Sequence, residues 1–139
     1  MHKNWLITGA LLGALAVILG AYGAHGLRMA FHNPELGLAA SDTFDTAARY
    51  QMYHVFAILA CGILGKLYGH NGLLNVCGWL FIAGIVLFSG SLYLLSTRSL
   101  LGIESWTWLG PVTPLGGLCF VGGWITLAIA VVRMKTSTL

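Results

Sequence analysis

Charge is what this sequence has least of. Only 8% of its 139 residues are Asp, Glu, Lys or Arg, against roughly 25% in a soluble domain. Such a chain cannot cover a water-facing surface. The seven basic and four acidic residues are scattered singly, so the net charge of +3 forms no basic stripe. That excludes a nucleic-acid interface. The three cysteines (Cys61, Cys77 and Cys119) have no CxxC spacing, which removes a disulfide-stapled secreted module. Signatures of common enzymes are missing too: no phosphate loop, HExxH, dinucleotide fingerprint or Gly-x-Ser-x-Gly occurs. What remains is apolar. Hydrophobic residues make up 58% of the chain and mean hydropathy is +0.83. The length allows one domain, and the composition places it in a lipid bilayer.

A helix needs about 20 mostly apolar residues to cross a hydrocarbon core roughly 30 Å thick. Four stretches qualify, at about residues 5–24, 49–68, 73–95 and 114–132. An open sheet would leave edge groups unpaired in hydrocarbon, and a barrel would alternate with polar lumen residues. The expected fold is therefore all-α: a polytopic four-transmembrane-helix bundle in one domain, both termini on the same side. The first apolar stretch is longer than a signal-peptide core and is read as a retained span. Lys3, Lys66, Arg133 and Lys135 fall on the terminal side, against Arg28, Arg49 and Arg98 on the other. The positive-inside rule then puts both termini in the cytoplasm of a bacterial inner membrane.

Local signals refine the ends. Residues 25–41, with Pro34 and Gly37, read as the longest polar loop. Asp42 then reads as an N-cap with Asp45 as its capping-box partner, starting the second helix near Thr43. Thr113-Pro114 reads as the cap and first turn of the fourth helix. Trp106 and Trp108 suit the membrane–water interface. Cys77-Gly78-Trp79 and Gly122-Gly123-Trp124 are a faint internal echo, too short to establish a repeat.

Nineteen glycines are many for this length. Gly9, Gly13, Gly20 and Gly23 are the expected helix-packing positions, because helices in lipid associate through close backbone approach. Such faces pack inside one bundle or against another chain. The second use leads to the expectation of a homo-oligomer or a larger membrane complex, with the lipid bilayer itself as the other partner.

Polar residues in a span are costly, so they are the candidates for function. The dense cluster runs from Asp45 to His54. Asp45 and Arg49 are four apart, in the favourable acid-first order for an ion pair. Tyr50, His54 and Cys61 fall on a different stripe, and Asp42, Asp45, Arg49, Tyr53 and Phe56 share the first. Two polar faces, not one convergent site, weaken an enzyme reading. Asp45 and Arg49 read first as a helix-entry pair, alternatively as an anion or headgroup site. His54 reads first as a buried imidazole bonded to tyrosine or backbone, alternatively as a proton relay, ligand or quinone contact, with His25 as a possible companion. His54 and Cys61 are seven residues apart, roughly 10 Å along a helix, too far to share a metal. No metal or cofactor is expected. Ser89 lacks a clear base and reads as a packing hydroxyl.

Several blocks in order resemble one family. They are Gly20-Ala21-Tyr22-Gly23-Ala24-His25-Gly26-Leu27, Phe44-Asp45-Thr46-Ala47, Tyr50-Gln51-Met52-Tyr53-His54, Phe88-Ser89-Gly90-Ser91-Leu92-Tyr93 and Thr113-Pro114-Leu115-Gly116-Gly117. The chain resembles the YgdD-like proteins, small membrane proteins of unknown function from bacterial inner membranes, with mitochondrial relatives. Leu115 stands where that pattern suggests isoleucine. The resemblance implies a multi-span membrane protein without an assigned activity. It narrows the candidate polar or binding cluster to His25, Asp45, Arg49, Tyr50, Gln51, His54, Ser89 and Tyr93. The expected function is a non-catalytic accessory or scaffold subunit of a membrane assembly. The alternatives are a homo-oligomeric channel or carrier for a small solute or proton, and a protein that binds a lipid or quinone headgroup.

Overall fold

Residues 2–69 and 71–134 of the chain are described by a computed structural model. Lys135, used above in reading charge, lies outside them. The described residues form helices joined by short non-helical connections, with no strand among them. Helix α1 (His2–Ala21) runs without a break through a π-helical turn, Tyr22–Leu27, into α2 (Arg28–Ala30). After a short break comes α3 (Pro34–Tyr68). Helix α4 (Gly72–Gly84) continues through a second π-helical turn, Ile85–Ser89, into α5 (Gly90–Leu101). Helix α6 (Leu109–Val132) completes the chain.

Three of these rods are long and apolar enough to cross a membrane: His2–Ala30, Gly72–Leu101 and Leu109–Val132. At about 1.5 Å per residue their 29, 30 and 24 residues exceed the ~30 Å hydrocarbon core. Helix α3 has 35 residues but carries Glu35, Asp42, Asp45, Arg49 and Lys66.

The start of α3 corrects the loop expected over residues 25–41. The helix begins at Pro34, well before Thr43, and Asp42 does not cap it. Asn33 is the cap: its side chain accepts from Glu35 N at 2.9 Å and from Leu36 N at 3.4 Å. Pro34 occupies the first helical position, where its missing N–H costs nothing, and Glu35 faces the positive end of the helix dipole. Gly69, with φ +86°, ends the helix in a conformation that a side chain would strain. The start of α6 is corrected likewise. Helix begins at Leu109, with Pro111 in the first turn, so Thr113 is not a cap and Pro114 lies inside the helix. Thr113 Oγ1 instead meets Ser91 Oγ at 2.6 Å, joining α6 to α5.

The rods pair as two antiparallel hairpins, α1 with α3 and α4–α5 with α6, and the first arm of each hairpin carries a π turn. Glycines set the spacing in both. A Cβ on Gly9 would stand 2.7 Å from Leu59, one on Gly13 3.3 Å from Val55, one on Gly20 3.8 Å from Ala48 and one on Gly23 2.6 Å from Phe44. All four therefore face α3 of the same chain. In the second hairpin a Cβ on Gly116 would collide with the backbone of Leu87 and Phe88 in the π turn. Between the hairpins lies the main core, where Trp5, Ile58, Cys61, Cys77, Phe81 and Phe120 are buried together. A smaller cluster of Leu27, Ala40 and Phe44 closes the end that carries the first π turn.

Candidate functional site

The Asp45–His54 segment falls on α3 with its polar groups turned in different directions. Asp45 and Arg49 form an ion pair on the outer face, both side chains more than half exposed. They hold each other one turn apart, and exposed pairs of this kind contribute little to stability. His25 is exposed in the first π turn. Neither Arg49 nor His25 reaches the interior groups.

Gln51 points inward and is only 2% exposed. Its Nε2 donates to the Leu12 carbonyl of α1 at 2.8 Å, and its Oε1 accepts from the Tyr93 hydroxyl of α5 at 2.9 Å. One amide thus ties three rods together in a place where an unpaired polar group would be costly. The Tyr93 ring also packs on Phe44, centroids 4.6 Å apart. Ser89, fully buried at the end of the second π turn, has an Oγ without a hydrogen-bond partner among the described residues.

His54 is buried against α6. Trp124 Nε1 donates to His54 Nε2 at 3.2 Å, so Nε2 is the accepting nitrogen. Nδ1 therefore carries the proton and donates to the Tyr50 carbonyl at 2.7 Å. The ring lies flat on Phe120, 3.4 Å between centroids and 4° between planes. With both nitrogens engaged, the imidazole presents no free lone pair to a metal or a substrate proton. Nor does any group of three or more His, Cys, Asp or Glu among the described residues stand ready to hold a metal.

Beside this stack a cleft lies between α3 and α6. The cleft between them has a volume of about 490 Å³ and is lined by Tyr50, Tyr53, His54, Gly117, Phe120, Val121 and Trp124. The lining is mostly apolar and largely aromatic. Tyr50 extends the ring surface by stacking on Phe88 at 4.8 Å. Volumes of several hundred Å³ suit a small ligand.

Sequence reasoning named Tyr50 and His54 but missed Phe120 and Trp124. A signal for Trp124 was present: an indole N–H in the middle of an apolar span needs an acceptor. It missed a second polar contact as well. Ser41 Oγ donates to the Gly23 carbonyl at 3.0 Å, within the first π turn, and receives Arg28 Nε at 3.2 Å.

Fold, composition and interior together define an integral membrane protein built of apolar helices. The chain belongs to the family described as "Protein of unknown function (DUF423)", whose model matches residues 19–117. It is 39% identical over 131 residues to the UPF0382 membrane protein YwdK of Bacillus subtilis, covering 94% of this chain and 98% of that one. It is 37% identical over 136 residues to a UPF0382 membrane protein of Haemophilus influenzae, covering 98% and 99%. A Staphylococcus aureus relative, UPF0382 membrane protein SAB0533, shares 41% over 128 residues, or 92% and 94% of the two chains. No solved structure matches.

Proposed function

We propose that this protein is a four-span component of a bacterial inner membrane, with both termini cytoplasmic, that works by binding and not by catalysis. Its working feature is the cleft between α3 and α6, which takes the flat ring of a membrane-dissolved amphiphile such as a quinone headgroup. The observation that carries this reading is the His54–Phe120 stack locked by the Trp124 indole. It gives the cleft a rigid, buried aromatic floor, bordered by the exposed rings of Tyr50, Tyr53 and Trp124, while engaging both nitrogens of the histidine. Planar rings bind such surfaces by offset stacking and burial. A ligand dissolved in the bilayer would enter sideways.

The four-span count is supported by the pairing of α3 with α1. From Phe44 to Leu59, α3 follows α1 in antiparallel register, meeting Gly23, Gly20, Gly13 and Gly9 in turn. A helix so paired shares the depth of its neighbour. The accessory-subunit reading draws on small size, glycine-rich faces and the lack of a recognisable reaction centre; of these, the four glycines face α3 of the same chain. The carrier reading has His54, Tyr50 and Gln51 lining a polar path; Gln51 and His54 give their polar atoms to protein partners, and Tyr50 lines the cleft instead.

The test uses a short-chain benzoquinone as probe and Gly117→Leu as the cleft-filling variant. A Cβ at Gly117 meets only the Phe88 ring, at 3.9 Å, so the added side chain grows into the cleft without moving backbone. The probe is expected to raise the melting temperature of the wild-type protein in detergent and to leave Gly117→Leu unmoved. Equal shifts in both, or none in either, would overturn the assignment.

A further inference from the structure

A second cavity lies toward the start of α3, between that helix and the last turns of α5. Its volume is about 320 Å³, and Leu36, Thr43, Leu95, Arg98, Ser99 and Glu104 are among its lining residues. Two of them carry opposite charges, yet Arg98 and Glu104 make no ion pair with each other. Neither side chain has a hydrogen-bond or ion-pair partner among the described residues. The backbone explains the separation. Helix α5 ends at Gly102, φ +66°, with Ile103 N returning to the Arg98 carbonyl at 2.9 Å. This left-handed cap reverses the chain, so Arg98 in the last helical turn and Glu104 just past the cap line the same hollow.

The depth of the cavity is marked by its neighbours. Trp106 and Trp108, both exposed and 5.6 Å apart, follow in the same loop, and exposed indoles belong at the headgroup level of a bilayer. The lining combines apolar Leu36 and Leu95 with charged Arg98 and Glu104. An unpaired cation and anion in one lining, together with apolar side chains, suit a ligand with the complementary pair of charges and an apolar part.

We infer that this cavity binds a phosphate ester carrying a primary ammonium, as in the headgroup of an ethanolamine phospholipid. The Arg98 guanidinium takes the phosphate through paired N–H donors. The Glu104 carboxylate accepts hydrogen bonds from the ammonium. A quaternary ammonium would call for an aromatic cage, and Phe31 is the one aromatic residue in this lining. The inference goes beyond the cleft between α3 and α6 and does not depend on it.

The experiment measures retention of added lipids by native mass spectrometry of the full chain in detergent. The probes are phosphatidylethanolamine, phosphatidylcholine and phosphatidylglycerol with matched acyl chains, and soluble phosphoethanolamine. The wild-type protein is expected to favour phosphatidylethanolamine over the other two lipids by about tenfold, a difference that one charge-assisted hydrogen bond can supply. Arg98→Gln should lower retention of all three lipids. Glu104→Gln should abolish the preference for ethanolamine while phosphatidylglycerol still binds. Gly117→Leu should keep the preference, which separates failure at this site from failure at the aromatic cleft. Displacement of the lipid by equimolar phosphoethanolamine would assign the same charge recognition to a free small molecule. Equal retention of the three lipids by wild type, or an unchanged preference in Glu104→Gln, would overturn the inference. Both substituted side chains are exposed, so both variants should fold.

Discussion

At the scale of single residues, two buried polar side chains stand out because each is held by two hydrogen bonds to different elements or turns. Gln51 bonds to α1 and α5, and His54 to its own helix and α6. Hydrogen bonds between membrane helices average about 0.6 kcal/mol and reach about 1.7. Tyr93→Phe removes one bond to Gln51 and should cost about 1 kcal/mol in detergent unfolding. Gln51→Leu removes both bonds and should cost more. The double variant should lose less than the sum, because the Tyr93 bond is already absent in Gln51→Leu. Additive losses would mean that the two residues do not share a bond. The spacing of Asp45 and Arg49 was readable from the sequence because an i,i+4 pair is a local fact. The Trp124–His54 bond was not, since it joins positions 70 residues apart and no local pattern points from one to the other.

At the scale of helices, hydropathy finds the apolar middles well and the polar ends poorly. The reason is physical. Inside the bilayer a helix must be apolar, so its extent is written in composition; outside it a helix can be as polar as a loop. That is why α3 was expected to begin near Thr43 and begins at Pro34, its cap at Asn33 passed over for a plausible one at Asp42. The two π turns had no such signal, and the glycines of the first suggested packing or a loop. Asn33→Ala should remove the cap and cost about 1 kcal/mol, whereas Asp42→Ala should change stability little; chemical denaturation of both variants separates the two starts. Gly116 gives a sharper prediction. Its Cα faces the backbone of the second π turn with no room for a methyl group. Gly116→Ala should therefore destabilise by about 1–3 kcal/mol through overpacking. Gly117→Ala next to it, where a Cβ makes only ordinary contact, should be nearly silent. A neutral Gly116→Ala would contradict the close approach.

At the scale of the whole molecule, two hairpins meet along a buried core, with an aromatic cleft between α3 and α6. Apolar composition and helical architecture were legible in the sequence because a bilayer allows few alternatives. The cleft was not legible: its lining comes from both α3 and α6, and which faces of two distant helices come together is a property of the assembled bundle. If α3 crosses the membrane with the other three rods, single cysteines at residues 3 and 133 should be labelled by an impermeant thiol reagent from the same side, and one at residue 104 from the opposite side. Labelling of 3 and 133 from opposite faces would require an odd number of crossings.

The central claim is that the cleft holds a ligand in the native membrane. Native mass spectrometry of the protein released gently from its own membrane, wild type and Gly117→Leu side by side, tests it most directly. The account predicts a defined extra mass on the wild-type chain, identifiable on dissociation as a ring-bearing amphiphile and absent from the variant. Identical spectra for the two proteins, or a wild-type chain that carries only a second protein subunit, would contradict it.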